Sequence, residues 1–202
     1  KENQEAVFDV FFRRVPTGGG YAIMAGLDKI IPFIQNLKFG ETELNYFRRK
    51  GYSEEFINRL KDFKFTGDIY AVPEGTVVFP GEPILTVKAP VIQAQLVETA
   101  ILNMMNFQTL IATKAAKICY AANGDTVMEF GLRRAQAPDA GIYGARAAVI
   151  GGCAVTSNVL AGKMFGIPVA GTHAHSWVMN FNDELTAFYE YAKIYPDNAL
   201  LL

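Results

Sequence analysis

Cysteine, histidine and net charge are all scarce in this chain, and each shortage removes a class of function. Its two cysteines, Cys119 and Cys153, lie far apart in apolar-patterned segments. Neither a disulfide framework nor a four-cysteine zinc site can be assembled from them, and a reducing, cytoplasmic compartment is expected. Lys and Arg number 19 against 20 Asp and Glu, a formal charge of −1, which supplies no net electrostatic drive toward nucleic acid or an anionic membrane. Long hydrophobic runs are missing too: the longest uncharged stretches, such as 164–182, contain Gly166, Pro168 and Gly171 and do not read as a membrane span. Gly18-Gly19-Gly20 lacks the lysine and serine of a phosphate loop. What the chain does have is core. Of its 202 residues 50% are hydrophobic, too many for disorder and enough for one well-buried domain or slightly more.

The ends suggest a piece of a longer protein. Lys1 is not an initiator methionine, and Asn198-Ala199-Leu200-Leu201-Leu202 is an apolar run that stops without a turn or cap. The expectation is a truncated chain, inactive by itself, whose remaining residues hold part of the chemistry.

Residues 7–14 are rich in strand formers and end in Arg13 and Arg14, after which 15–20 break the strand. Ile23, Leu27, Ile30 and Ile31 recur at helical spacing until Pro32 interrupts. Ser53 followed by Glu54 and Glu55 predicts an N-capped helix over about 54–63, with Tyr52 and Ile57 placed for a hydrophobic staple. Pro73, Pro80, Pro83 and Pro90 punctuate a β-rich arm over 66–90. Val97, Ile101, Met104, Met105, Ile111, Ala115 and Ile118 then require a long, mostly buried helix over 91–122, ending near Asn123-Gly124. From 123 onward the rhythm is strand (126–130), arginine-bearing loop, helical stretch (141–165), strand (167–170), helix (183–195) and strand (199–202). Such alternation predicts parallel βα units. The fold class is therefore α/β: an N-terminal α/β domain over 1–122 and a partial α/β barrel domain over 123–202. In βα units ligands collect at the carboxyl ends of the strands.

Two strand ends carry chemistry. In Glu129-Phe130-Gly131-Leu132-Arg133-Arg134, adjacent guanidinium forks suit a carboxylate or phosphate, unless they are a solvated loop paired with Glu129 or Asp139. In Gly171-Thr172-His173-Ala174-His175-Ser176-Trp177 both histidines of the chain occur two residues apart, on one face if a strand continues through them. Three readings stand open there: a His-x-His metal pair, one histidine as base or nucleophile, or two locally hydrogen-bonded core histidines. Thr156-Ser157-Asn158 interrupts an apolar helical stretch that begins at Gly151-Gly152, as a cap or as a ligand-facing patch.

Four motifs in order resemble nicotinate phosphoribosyltransferases: Phe11-Phe12-Arg13-Arg14-Val15-Pro16 with Gly19-Gly20-Tyr21, Glu129 through Gln136, Thr156-Ser157-Asn158-Val159-Leu160-Ala161, and Gly171-Thr172-His173-Ala174-His175-Ser176. The resemblance covers essentially the whole chain. It implies a type II phosphoribosyltransferase fold, of which this chain holds the N-terminal α/β domain and the opening βα units of an irregular α/β barrel. It also implies ATP-coupled phosphoribosyl transfer from 5-phosphoribosyl-1-diphosphate to nicotinate, forming nicotinate mononucleotide in NAD salvage, with Mg²⁺ carried mainly by the diphosphate rather than by a protein metal site. By the same resemblance His175 is the histidine that ATP phosphorylates. Phe130 stacks on the pyridine ring, Arg133 and Arg134 bind substrate oxyanions, and Ser157 leaves neutral the place where an aspartate would repel the nicotinate carboxylate. Thr172 and Ser176, which flank the histidine, are substrate-binding candidates. Arg13 or Arg14, with Arg14 the substrate-binding candidate, reaches phosphate across a homodimer with shared sites. No nucleic-acid or membrane partner is implied. Ala137 and Ala140 replace glycines common in such loops, which matters only where φ is positive. The competing readings are quinolinate phosphoribosyltransferase, which shares the fold without the phosphorylated histidine, a metal-dependent barrel hydrolase using His173 and His175, and an inactive fragment.

Overall fold

Alternating burial along Leu85, Val87 and Ala89 marks the central strand of the N-terminal sheet. In the computed structural model, which describes residues 4–14, 19–197 and 199–201, β1 (Glu5–Val10) and a strand over Asp68–Ala71 flank the one over Leu85–Pro90, both antiparallel to it. In chain order these are β1, β3 and β5, with β2 (Ala22–Ile23) and β4 (Val77–Val78) forming a separate antiparallel ribbon. The expected strand over 7–14 stops at Val10, opposite Leu85, because the partner strand begins only after Pro83, which has no N–H to donate.

Helix α1 (Leu27–Asn36) runs through Pro32 instead of ending there, and Ile23 belongs to β2. Pro32 is exposed, so the carbonyl it leaves unpaired lies on the hydrated side, while Ile30 and Ile34 anchor the opposite face in the core. Helices α2 (Glu41–Arg49) and α3 (Glu54–Lys61) form a hairpin around Leu44, Ile57 and Leu60. The Ser53 hydroxyl accepts from Phe56 N–H as the sequence predicts; Tyr52 stacks on Phe56 at 5.6 Å, and Ile57 is buried with Leu44.

Helix α4 (Val91–Ala121) is the spine. Its first half buries Ala94, Val97, Ile101 and Met105 against β5 and α1. Further along, Thr109 and Thr113 are buried, and their hydroxyls accept from Ala25 N–H at 3.2 Å and Ile23 N–H at 2.9 Å. A helix thereby satisfies backbone donors of β2 and of the segment that follows it. The helix ends at Asn123 (φ 50°) and Gly124 (φ 99°), the predicted stop.

Beyond α4, β6 (Met128–Glu129) and β7 (Val155–Thr156) pair in parallel, and Thr156 bridges in parallel to Val169. The helical stretch expected over 141–165 is two helices, α5 (Pro138–Ile150) and α6 (Val159–Phe165), with β7 between them. The break follows from Gly151 and Gly152. Gly152 has φ 114°, and a Cβ on Gly151 would stand 2.3 Å from Ala112 O, so only glycine lets α5 end this close to α4. The predicted strand at 167–170 is reduced to the single bridge at Val169. Residues 199–201 are in no strand because no partner lies beside them among the described residues; Asn198, Leu202 and 15–18 fall outside those residues. Short α7 (His175–Val178) and α8 (Glu184–Ile194), the latter capped by Asp183, complete the chain. Among the described residues no helix is long and apolar enough to cross a membrane.

The two cysteines, distant in sequence, meet in space: both belong to a small cluster with Ala115 and Ala148 where α4 meets the end of α5, and both are free thiols. Burial, then the neighbouring Cys119, push the Cys153 thiol up to about 12. Because only the thiolate attacks an alkylating agent, Cys153 should resist iodoacetamide in the native protein at pH 8 and react once the chain is denatured. Peptide mass mapping reads this directly, and rapid native labelling of Cys153 would contradict it.

Candidate functional site

The carboxyl ends of β6 and β7 open into a cavity of about 810 Å³ lined by Phe130, Arg133, Arg134, Ser157, Thr172, His175 and Ser176, together with Leu132, Gly171, His173 and Ala174. Three segments distant in sequence supply these side chains, each following a strand or bridge of the parallel set. Arg14 is elsewhere. It is exposed and lines a separate groove with Phe11, Leu102 and Asn103, between the end of β1 and α4.

After β6 the chain turns at Gly131 into a 3-10 turn over Leu132–Arg134, closed by Arg134 N–H to Gly131 O at 2.9 Å. Both arginines are exposed. The carboxylates that could have paired with them are engaged otherwise: Glu129 with Gly131 N–H and the Thr156 hydroxyl, and Asp139 with Lys29 at 3.6 Å. Adjacent cations facing a cavity with no carboxylate in its lining are chemically suited to an oxyanion.

The turn into α5 carries strain. Ala137 caps the helix at φ 84°, ψ 162°, a region populated almost only by glycine, whereas Ala140 lies inside α5, where alanine is at home. Ala137→Gly should therefore stabilise the chain by about 1 kcal/mol, the relieved strain less the extra backbone entropy of glycine. Thermal unfolding would show a midpoint raised by about 2–4 °C; a lowered midpoint would contradict the strain.

Thr156-Ser157-Asn158, expected within a helix, is a strand end followed by a cap. Thr156 closes β7, Ser157 lines the cavity, and the Asn158 side chain accepts from Ala161 N–H at 3.1 Å to start α6. The trio thus both caps a helix and faces the cavity.

The histidines do not share a strand face. Extended pairing ends at Val169, so the chain is free to turn before His173, which is buried with its ring 5.5 Å from Phe188 and 5.2 Å from Tyr191. His175 is exposed at the start of α7, where Trp177 Nε1–H donates to Ala187 O at 3.2 Å and fastens α7 to α8. The strand geometry on which a His-x-His metal pair depends is not formed, and among the described residues no three His, Cys, Asp or Glu side chains cluster as metal ligands.

Sequence reasoning offers Glu129 only as a partner for the arginines and Thr156 only as part of a polar trio, and misses the link between them; the available signal is a carboxylate immediately before Phe-Gly at a strand end and a hydroxyl immediately before Ser157.

A parallel βα run with a cavity at its strand ends, following a small antiparallel sheet and a long helical spine, is part of the type II phosphoribosyltransferase fold. The human nicotinic acid phosphoribosyltransferase structure superposes with a TM-score of 0.83 at 36% identity, over 89% of this chain and 37% of that one. Nicotinate-nucleotide pyrophosphorylase from Pyrococcus furiosus superposes at 0.77 and 25% identity, over 95% of this chain and 42% of that one. Residues 1–106 match the model of the nicotinate phosphoribosyltransferase N-terminal domain. Over 200 residues the chain is 50% identical to nicotinate phosphoribosyltransferase of Bacillus subtilis, covering 98% of this chain and 41% of that protein. The chain belongs to the nicotinate phosphoribosyltransferase family. It spans about two fifths of the length of the curated relatives it matches.

Proposed function

We propose that this chain forms part of a cytoplasmic enzyme that transfers the phosphoribosyl group of 5-phosphoribosyl-1-diphosphate to nicotinate, giving nicotinate mononucleotide and diphosphate for NAD salvage, with ATP hydrolysis coupled through His175. The observation that carries the reading is the convergence of Phe130, Arg133, Arg134, Ser157 and His175 on one cavity, together with the names of the relatives. Each substrate is an anion, and the cavity offers two arginines and no carboxylate.

In this reading the Phe130 ring stacks on the pyridine, and Arg133 and Arg134 take the nicotinate carboxylate and a substrate phosphate. Ser157 keeps the pyridine end neutral, so the acid is preferred over the amide. An exposed His175 imidazole accepts the γ-phosphoryl group of ATP and releases ADP, with the Thr172 and Ser176 hydroxyls beside it as hydrogen-bond partners. The added charge then orders the surrounding loops. Transfer through an oxocarbenium-like ribose asks the protein mainly for positioning and charge stabilisation. Mg²⁺, when bound, offsets diphosphate charge. With no carboxylate in the cavity lining, this chain's described residues do not fit a protein-held ion. Arg14, outside the cavity, is the group that would serve a neighbouring subunit in a homodimer.

The test is incubation of the full-length protein with ATP, Mg²⁺, 5-phosphoribosyl-1-diphosphate and either nicotinate or nicotinamide, with product and ADP followed by mass spectrometry. Nicotinate mononucleotide with ADP is expected from nicotinate alone; absence of both overturns the reading.

A further inference from the structure

The floor of the cavity is held by one carboxylate. Glu129 and Thr156 stand opposite each other in the β6–β7 register, and each immediately precedes a cavity residue, Phe130 and Ser157. Ser157 N–H donates to Glu129 O at 3.0 Å. The Glu129 side chain adds a second crosslink: Oε2 accepts from the Thr156 hydroxyl at 2.6 Å and Oε1 accepts from Gly131 N–H. Thr156, fully buried, is saturated. Its hydroxyl also accepts from Asn158 N–H at 3.0 Å, its N–H donates to Pro168 O at 3.1 Å, and its carbonyl accepts from Ala170 N–H at 3.2 Å. All three segments lining the cavity therefore meet at this pair.

Resting on the reading above, we propose that Glu129 is a positioning residue for the pyridine substrate, setting the separation of the Phe130 ring and the Ser157 hydroxyl through its hold on Gly131 and Thr156. Two donors, Gly131 N–H and the Thr156 hydroxyl, converge on its two oxygens, and an amide of the same size would take an acceptor away from one of them. Glu129 is absent from the cavity lining, so its effect passes through Phe130 and Ser157.

The experiment uses the full-length protein and the variants E129Q, T156V and T156S, with KM measured separately for nicotinate and for 5-phosphoribosyl-1-diphosphate. E129Q and T156V should raise the nicotinate KM by about tenfold to a hundredfold, from the loss of a charge-assisted hydrogen bond, with kcat at saturating nicotinate within about threefold of the wild type. T156S keeps the hydroxyl and should restore the nicotinate KM relative to T156V. Hydrogen exchange should speed up over 129–135 and 155–158 in E129Q while the rest of the chain keeps its protection. A nicotinate KM unchanged in E129Q, equal rises in both KM values, or T156S behaving as T156V would each overturn the proposal. A wild-type protein that forms no nicotinate mononucleotide overturns the parent reading, and the proposal with it.

Discussion

Replacing His175 with alanine in the full-length protein should leave the fold intact and reduce nicotinate-dependent ADP formation to background, a loss of about a hundredfold or more if the imidazole is the phosphoryl acceptor. The fold should survive because His175 is exposed, and surface substitutions away from special features shift stability by only about 0.5 kcal/mol. Coupling should not survive, because His173, the other imidazole of the chain, is packed between Phe188 and Tyr191 and cannot substitute for it. His173→Ala should behave in the opposite way, costing about 1–3 kcal/mol through lost ring packing while ADP formation per folded molecule is retained. Intact-mass detection of a phosphorylated protein after ATP treatment, alongside thermal unfolding, separates the two. Equal loss of coupling from both variants, or coupling that persists in His175→Ala, would overturn the assignment.

The second large effect concerns the place where α1, the turn before β4 and α5 meet. Glu74, in the turn before β4, receives Arg146 of α5 in a bidentate pair, Nη1 to Oε1 at 2.9 Å and Nη2 to Oε2 at 2.6 Å. The same Oε1 accepts the N–H groups of Gly26 and Leu27 at the start of α1, at 2.6 and 3.1 Å. Arg146 also lies 3.6 Å from Asp28 and over the Phe165 ring of α6. One carboxylate thus ties α1, α5 and its own loop together. Glu74→Gln leaves Arg146 short of a partner in a mostly buried place and should destabilise the chain by about 2–3 kcal/mol at neutral pH, discounted from a fully buried pair for its partial exposure.

The pH dependence has a definite sign. Burial pushes the Glu74 carboxyl up, but the Arg146 hydrogen bonds, the backbone donors and the Arg146 charge together pull it below its ordinary 4.5. A carboxyl lowered in the folded state contributes stability that is fully present above pH 4.5 and is lost as pH falls through the lower folded value. The gap between wild type and Glu74→Gln should accordingly be constant from pH 6 to 8 and close below pH 4.5. Denaturant unfolding across that range checks it, and a gap that widens on acidification would contradict the pairing.

Much of this was legible beforehand because it depends on neighbours in sequence. Ser53 caps α3 through its own N3 amide, Asn123-Gly124 stops α4 by its backbone preference, and the apolar period of 91–121 requires a buried spine whatever it packs against. The residue types at two strand ends, two arginines and two histidines, marked where an anion site could form, and four ordered motifs gave the family.

What failed depended on a partner far away in the chain. The extent of β1 was set by Pro83, and the tolerance of Pro32 by which side of α1 met water. The role of Thr156-Ser157-Asn158 was set by the arrival of β6 alongside, and the meeting of Cys119 with Cys153 by the closeness that Gly151 permits. His173 and His175 diverge because the pairing that could have continued through them ends at Val169. Sequence alone therefore determined the α/β class, the spine, the caps and the chemical character of the site, since propensity, hydrophobic period and side-chain type act over a few residues. Only the tertiary structure decided that Glu129 and Thr156 hold three segments around one cavity and that Glu74 ties α1 to α5, because a hydrogen bond across the fold exists only once both strands and helices have been brought within about 3 Å of each other.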